Sequence, residues 1–280
     1  MQRRELLTTG LAALGTPALV AQPAPRKGRL KQSVTGGVFG RGNKMTMDER
    51  CREAARLGVS GYDLVGPADF PILKKHGLAA SMVRGGGILT DNINHQANHA
   101  KMEPEYRKAI EDAAAFGAPN VIVLSGNRRG IADEEGLANC VTFLNRIKAQ
   151  AEEKNVTLCM ELLNSKVNHP DYQCDRTWWG VELCKRVNSS RVKLLYDIYH
   201  MQIMEGDIIR TIQKNIEYIA HFHTAGNPGR HEMDDTQEMN YRGIAKAIAD
   251  LGFKGYVAHE YSPLGDPLTS LQNTLEMFEV

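Results

Sequence analysis

From Leu30 onward, short apolar runs alternate with longer amphipathic segments through eight rounds. The strand-like runs cover 30–38, 61–65, 78–83, 120–124, 156–161, 192–197, 219–223 and 256–260. The helical patterns between them cover 47–58, 68–76, 98–116, 133–154, 176–188, 205–216, 240–251 and 267–279. Such alternation is typical of a parallel sheet covered by helices. It predicts a single-domain α/β fold, the TIM (β/α)8 barrel, over residues 27–280. An open doubly wound sheet is the alternative, but no GxGxxG motif follows the first strand.

The last four strand-like runs end in side chains that can bind a metal ion, namely Glu161, Asp197, His223 and Glu260. In a TIM barrel, residues at the carboxyl ends of the strands line the active site. Three carboxylates and one imidazole in one pocket require a counter-charge, because like charges otherwise force some of the groups to bind protons. An oxygen-rich set with a single histidine favours Mn²⁺ or Mg²⁺, with Co²⁺ as a further option. The sequence therefore predicts one divalent metal site at the barrel mouth.

Four further polar residues are candidates for substrate binding, namely Asn164, His200, Arg230 and His231. Asn164 follows the fifth strand-like run, and His200 lies in the loop expected after the sixth. Arg230 and His231 belong to a Gly/Pro loop after the seventh run, where a guanidinium could bind a carboxylate or a polyol. The alternatives are a surface loop with solvated charges and, for His200, a residue near a helix N-terminus.

Two other histidines, His221 and His259, lie within the last two strand-like runs. We expect both to point away from His223 and Glu260, because side chains alternate along a strand. They would then lie behind the metal ligands or against a helix. The three glycines at 85–87, after the third strand, predict a flexible loop of the active site.

Charge and cysteine content narrow the classes of function. The chain has 34 Lys and Arg residues against 33 Asp and Glu residues, so no basic surface indicates a nucleic acid partner. Five cysteines without a CxxC spacing indicate neither a disulfide framework nor a zinc knuckle. The expected partner is a small-molecule sugar or hydroxy-keto acid. The sequence leaves association into a homo-oligomer open.

The N-terminal residues 1–26 have the layout of an export signal. Paired arginines, Arg3 and Arg4, precede an apolar run that reaches Ala21. This pattern indicates twin-arginine export with cleavage near Ala21 or Ala24, and the apolar run is too short for a membrane anchor. We therefore expect residues 1–26 to lie outside the fold and the mature protein to be periplasmic or otherwise extracytoplasmic. The alternative is a disordered or helical extension.

Three motifs in the second half of the chain resemble those of hydroxypyruvate isomerases. They are Asp197-Ile-Tyr-His200-Met-Gln with Glu205-Gly-Asp207, Pro228-Gly-Arg230-His231-Glu232 with Glu238-Met-Asn240-Tyr241, and His259-Glu260-Tyr261-Ser-Pro263. Hydroxypyruvate isomerases belong to the xylose isomerase-like TIM barrel superfamily, which also contains ketose 3-epimerases and apurinic-site endonucleases. The resemblance therefore implies the same barrel that the alternation of elements predicts.

The resemblance also implies roles for individual residues. Glu161, Asp197, His223 and Glu260 would bind the metal, Glu161 and Glu260 would transfer the proton, and His200 and Arg230 would contact the substrate. One position departs from the pattern, because hydroxypyruvate isomerases have Gln where this chain has His223. A histidine there is typical of the ketose 3-epimerases.

The expected function is metal-dependent isomerisation of a sugar or hydroxy-carbonyl compound through an enediolate, as in hydroxypyruvate isomerases. A ketose 3-epimerase is the first alternative. A non-catalytic, exported sugar-binding protein on the same barrel is the alternative from another class. An apurinic-site endonuclease is disfavoured, since Gly229 stands where that family has Asp and the early strands end in Val65, Val83 and Ser125.

Overall fold

The computed structural model describes residues 26–40 and 42–280, and the polypeptide there forms one eight-stranded parallel sheet. The strands are β1 (Lys31–Val34), β2 (Gly61–Tyr62), β3 (Ala79–Ala80), β4 (Asn120–Val123), β5 (Thr157–Glu161), β6 (Val192–Asp197), β7 (Ile219–Thr224) and β8 (Tyr256–His259). Their order is β3-β2-β1-β8-β7-β6-β5-β4. Beyond β3, Val83 N–H donates to Asn120 O at 2.9 Å, and Ile122 N–H donates to Val83 O at 3.0 Å. These bonds close the sheet, so the predicted TIM barrel is confirmed.

Nine α-helices lie between and after these strands in the described part of the chain. They are α1 (Met47–Arg56), α2 (Phe70–Lys75), α3 (His99–Phe116), α4 (Asp133–Glu153), α5 (Thr177–Val187), α6 (Ile198–Met204), α7 (Ile208–Asn215), α8 (Tyr241–Asp250) and α9 (Pro267–Met277). Among the residues described, no helix has the length and hydrophobicity needed to cross a membrane.

Helix α6 was not predicted from the sequence, and the loop expected around His200 is wrong. The helix begins directly after β6, because the Asp197 side chain accepts a hydrogen bond from His200 N–H at 3.1 Å. A carboxylate at this position stabilises a helix start by binding a backbone N–H that has no partner inside the helix. His200 therefore lies in the first turn of a helix and is held close to the end of β6.

The first strands are shorter than the apolar pattern predicts. A short 3-10 helix, Gly36–Phe39, replaces the expected end of β1. Strand β2 ends at Tyr62, and two residues later Leu64 has a φ of 54°. A left-handed backbone cannot continue an extended strand, so Asp63 lies at the end of β2 and not in its middle.

The barrel encloses a small apolar layer that lies apart from the main core between the sheet and the helices. Its buried members are Met82, Ile122, Cys159 and Leu195. Glu161 and Asp197 follow Cys159 and Leu195 by two residues, so they point to the same, inner face of the sheet. The apolar layer therefore lies inside the barrel, directly below the polar residues of the barrel mouth.

Strand β7 contains a β-bulge at Ala220. Leu194 pairs with Ile219, whereas the next residue of β6, Leu195, pairs with His221. Ala220 is thus an extra residue, and it packs against the inner apolar layer as a neighbour of the inward-facing His221. Above the bulge, Asp197 pairs with His223. Because Ala220 and His221 both point inward, the register of β7 shifts by one residue and His223 lies beside Asp197.

Candidate metal centre and active site

The four predicted metal ligands come together at the carboxyl ends of β5 to β8. His223 Nδ1 lies 3.2 Å from Glu161 Oε1, 3.1 Å from Glu260 Oε2 and 3.9 Å from Asp197 Oδ2. One ligand atom from each of the four residues lies within 4.8 Å of the others. The sequence-based expectation that these side chains share one pocket agrees with this geometry.

The electrostatics of this group explain why a cation fits there. Burial raises the pKa of Glu161 and that of Asp197, because both carboxyl groups are removed from water. Burial acts on Glu260 as well, but the neighbouring Arg230 and His223 charges outweigh it and lower that pKa. His223 Nδ1 is buried, and although oxygens of Glu161 and Glu260 lie 3.2 and 3.1 Å away, it makes no hydrogen bond of acceptable geometry within the described residues. Three carboxylates facing an unpartnered imidazole nitrogen are a donor set that suits a divalent ion.

Asp63 is a member of the site that the sequence analysis missed. Its Oδ2 lies 2.7 Å from His223 Nε2, and its Oδ1 lies 3.2 Å from His221 Nε2. Ser81 Oγ donates to Asp63 Oδ1. Burial alone would raise the pKa of Asp63, but His221 and His223 together hold it below its usual value. Asp63 directly follows β2, much as the predicted ligands lie at the ends of their strands, so a search for polar residues at strand ends would have found it had the end of β2 been placed correctly.

The expectation that His221 points away from His223 is wrong. The two rings are 5.3 Å apart, and both imidazoles face Asp63. Residues two apart on a strand lie on the same face, so alternation itself places them together. The expectation for His259 is confirmed, because its ring hydrogen bonds to Gln32 and packs against Phe278, away from Glu260.

Of the predicted substrate-binding residues, Arg230 lies beside the candidate metal ligands. Its Nη2 is 2.7 Å from Glu260 Oε2 and 4.0 Å from Asp197 Oδ2. The guanidinium also stacks over the Tyr199 ring, 5.5 Å from its centroid. The ion pair with Glu260 fixes the orientation of a cation at the edge of the pocket, where it can bind an oxygen of a ligand.

His200 is fully buried and points one nitrogen toward the site. Its Nδ1 accepts a hydrogen bond from Asn164 Nδ2 at 2.6 Å, which leaves the proton of the neutral ring on Nε2. Burial, reinforced by the Arg230 charge, lowers the pKa of His200 well below its usual value. Nε2 lies 3.7 Å from Asp197 Oδ2 and has no hydrogen bond partner in the described part of the chain. His200 is therefore a neutral donor held beside the candidate metal ligands, and Asn164 sets its tautomer.

His231 lies apart from the other candidates. Its Nδ1 is 3.0 Å from Ser262 O, and the residue lines a separate cavity next to the loop that follows β8. The structure therefore brings Arg230 and His200 to the predicted metal ligands, places Asn164 behind His200, and leaves His231 outside the cavity that Glu161 lines.

A cavity of about 340 Å³ opens above the ligand group. Glu161, Glu260 and Arg230 line one side, and the glycines at 85–87 line the other. A Cβ on Gly85 would lie 2.1 Å from Ile122 O, so only glycine fits at that point. A second cavity of about 500 Å³ is adjacent and shares Arg84, Arg230 and Glu260 with the first. Together they have room for a small molecule that reaches from the ligand group toward β1 and β2.

Comparison with known proteins finds relatives over most of the chain. A family model described as "Xylose isomerase-like TIM barrel" matches residues 72–279. The chain is 32% identical to a 2-oxo-tetronate isomerase of Cupriavidus necator over 160 residues, a match that spans 56% of this chain and 60% of that protein. It is 29% identical to the hydroxypyruvate isomerase of Escherichia coli over 226 residues, which is 76% of this chain and 87% of that protein.

Among solved structures, the fold is similar to that of an AP endonuclease of family 2 from Brucella melitensis. The TM-score is 0.75 at 24% sequence identity, and the match covers 86% of this chain and 97% of that one. At this level of identity the likeness concerns the fold and not the reaction.

Proposed function

Because the chain belongs to the xylose isomerase-like TIM barrel family, we propose that this isomerase is metal-dependent and acts on a small hydroxy-carbonyl compound. The reaction would move a proton between neighbouring carbons through an enediolate. The observation that carries the proposal is the convergence of three carboxylates on the unpartnered Nδ1 of His223, at the floor of a small cavity. The names of the relatives support the class of reaction.

Glu161, Asp197, Glu260 and His223 Nδ1 would hold one divalent ion, with Mn²⁺ or Mg²⁺ as the proposed ion. When bound, such an ion would polarise the carbonyl group of the substrate and make the neighbouring C–H bond acidic. The remaining chemistry belongs to side chains of this protein. His200 would donate its Nε2 proton in a hydrogen bond to a substrate oxygen, and Arg230 would orient a second oxygen.

Glu161 and Glu260 are the proposed proton-transfer pair. Their carboxylate oxygens approach the imidazole of His223 from two neighbouring directions, at 3.2 and 3.1 Å. A substrate carbon placed between them could lose a proton to one carboxylate and gain one from the other. Of the two glutamates, Glu260 is the one that pairs with Arg230, so Glu161, whose pKa is raised, is the carboxylate better suited to bind the proton taken from carbon.

A ketose 3-epimerase is the second candidate, and His223 favours it. In that reaction the proton would return to the opposite face of the carbon that lost it. The two reactions differ in the position of solvent deuterium in the product. A label on the neighbouring carbon indicates isomerisation, whereas a label on the original carbon with inverted configuration indicates epimerisation.

The test is deuterium exchange from D₂O into α-hydroxy ketones and aldehydes, with and without Mn²⁺. We expect metal-dependent exchange, and we expect Glu161→Gln to reduce it about 100-fold or more, as loss of a general base does. Glu135→Gln, an exposed position in the first turn of α4, is the control for loss of a carboxylate. Metal-independent exchange, or full exchange by a folded Glu161→Gln variant, would refute the proposed function.

We also propose that residues 1–26 direct export by the twin-arginine route. The paired Arg3 and Arg4 before an apolar run support this. Apart from Arg26, this segment falls outside the described residues. Arg26 itself lies against the barrel, where it pairs with Glu279 at 2.7 Å.

A further inference from the structure

Two polar side chains of the second cavity each have a buried atom with no hydrogen bond partner among the described residues. Arg50 projects from α1, and its Nε is buried without a hydrogen bond. Tyr62 ends β2 and is 3% exposed, and its hydroxyl group is likewise buried without a hydrogen bond. A buried donor that binds neither protein nor water is costly, so two together indicate a position meant for a ligand atom.

The side chains of Arg50 and Tyr62 come close to each other near Gly36 in the wall of this cavity. A Cβ built on Gly36 would lie 3.5 Å from Arg50 Nη1 and 3.6 Å from the Tyr62 hydroxyl oxygen. Burial raises the pKa of Tyr62, and the nearby Arg50 charge opposes that rise. The phenol is therefore a protonated donor beside a permanent cation. Phe39 stacks on the Tyr62 ring with an interplanar angle of 7°, which fixes the direction of the hydroxyl group.

The carboxylates around this cavity already have other partners. Asp63 binds His221 and His223, and Glu260 binds Arg230. Asp69 accepts a hydrogen bond from Gly66 N–H at 3.0 Å. Within the described residues, no carboxylate lies within 4.0 Å of the Arg50 guanidinium. In the part of the chain that the structure describes, Arg50 is therefore a cation of this cavity that has no carboxylate partner and lies beside the Tyr62 hydroxyl group, and the exposed Arg84 is a second cation without a carboxylate partner.

We propose that Arg50 and Tyr62 form a subsite that binds the carboxylate group of the substrate. A terminal carboxylate would accept two hydrogen bonds from the Arg50 guanidinium and one from the Tyr62 hydroxyl group. The hydroxy-carbonyl end of the same molecule would then face Glu161 and Glu260. This assignment rests on the proposed function, and it narrows the substrate class to hydroxy-oxo acids and away from neutral ketoses.

The residues that line this cavity also favour a carboxylate ligand over a phosphate ligand. Asp63, Asp69 and Glu260 line the same cavity as Arg50. A dianion would be repelled by these three carboxylates more strongly than a monoanion would. A neutral ketose, in turn, would leave the buried Nε of Arg50 unpaired, and sites built around such groups reject ligands that cannot pair with them.

Three ligands that differ only at the first carbon test this subsite: 2-oxo-tetronate, erythrulose and erythrulose 1-phosphate. Binding to the Mn²⁺-loaded protein is measured by calorimetry for the parent, Arg50→Gln and Tyr62→Phe. Arg50 Nε has no hydrogen bond partner among the described residues, so replacing Arg50 removes no hydrogen bond at that atom. Arg52→Gln is the matched control, because Arg52 is exposed on the same helix and pairs only with Glu53.

We expect the parent to bind 2-oxo-tetronate more tightly than erythrulose, and Arg50→Gln to weaken binding of the acid by about 10- to 100-fold. Tyr62→Phe should weaken it less, and Arg52→Gln should not change it. Equal binding of acid and ketose by the parent, or an unchanged affinity in Arg50→Gln, overturns the proposal. Tighter, Arg50-dependent binding of the phosphate overturns the assignment to a carboxylate. If the acid binds as expected while no substrate exchanges deuterium, the proposed function fails and the subsite stands.

Discussion

His223 Nε2 lies 2.7 Å from Asp63 Oδ2, although the two residues are 160 positions apart in the chain. The hydrogen bond joins the end of β2 to the end of β7 across the barrel. It fixes the plane of the imidazole and leaves Nδ1 facing Glu161 and Glu260. A carboxylate behind a ligating histidine commonly fixes its tautomer and increases its basicity. Asp63 is therefore a positioning residue for the candidate metal centre.

Replacing Asp63 should weaken metal binding without removing a ligand. We expect Asp63→Asn to raise the dissociation constant for Mn²⁺ by about 10- to 100-fold, because the amide cannot hold His223 with a negative charge. Calorimetric titration of the metal-free protein measures this. Asp250→Asn, at an exposed position on α8 that pairs with Lys246, is the control. Equal affinity in Asp63→Asn and the parent would show that the hydrogen bond does not serve the metal site.

Addition of metal should stabilise the folded protein. The three carboxylates of the candidate centre repel one another, and an ion that binds only the folded state shifts the unfolding equilibrium. At a Mn²⁺ concentration 100 times the dissociation constant, we expect a gain of about 2.7 kcal/mol in the free energy of unfolding. Thermal unfolding after chelation and after Mn²⁺ addition measures the effect. Asp197→Asn should reduce it, and an equal gain in that variant would argue against the assigned ligands.

The close approach of Gly85 to β4 predicts a steric effect on stability. A methyl group at this position would lie 2.1 Å from Ile122 O, a backbone atom that cannot move without disturbing β4. Gly85→Ala should lower the free energy of unfolding by about 1–3 kcal/mol, as overpacking does. Gly66→Ala is the matched control, because nothing lies within 4 Å of a Cβ there. Urea unfolding of the two variants separates the outcomes, and equal midpoints would contradict the packing argument.

The proposed export signal can be tested apart from the barrel. Residues 1–26 fused to a fluorescent reporter that folds in the cytosol should carry it across the membrane. Replacing Arg3 and Arg4 together with lysine should stop this transport, since the arginine pair is the feature that the pathway reads. Cell fractionation measures the distribution of the reporter. Transport that continues in the lysine variant would exclude the twin-arginine route.

Much of the architecture follows from local pattern. The alternation of apolar runs and amphipathic segments sets the order of the elements, and parallel strands bring their carboxyl ends to one edge. That is why the residue pattern alone assigns Glu161 and Asp197, three dozen residues apart, to one pocket. Their neighbours Cys159 and Leu195 form the inner apolar layer, which agrees with period-two alternation.

The parts that sequence reasoning missed depend on contacts between distant segments or on single backbone angles. The positive φ of Leu64 ends β2 early and turns Asp63 into a residue of the barrel mouth. The helix at Ile198 depends on an Asp197 side chain that serves as a helix cap besides facing the candidate metal site. The free donors Arg50 and Tyr62 are recognisable only when the absence of nearby partners among the described residues is known.

The extra residue Ala220 determines which side chains of β7 point into the barrel. If β7 alternated regularly from Ile219, which packs in the outer core, Phe222 would point inward and both histidines would point to the helices. The backbone irregularity reverses this phase, so Phe222 packs outside and His221 and His223 point inside. The arrangement of the candidate metal ligands thus depends on strand length as well as on residue type, and a comparison of sequences that ignores a one-residue offset would misalign the central imidazole.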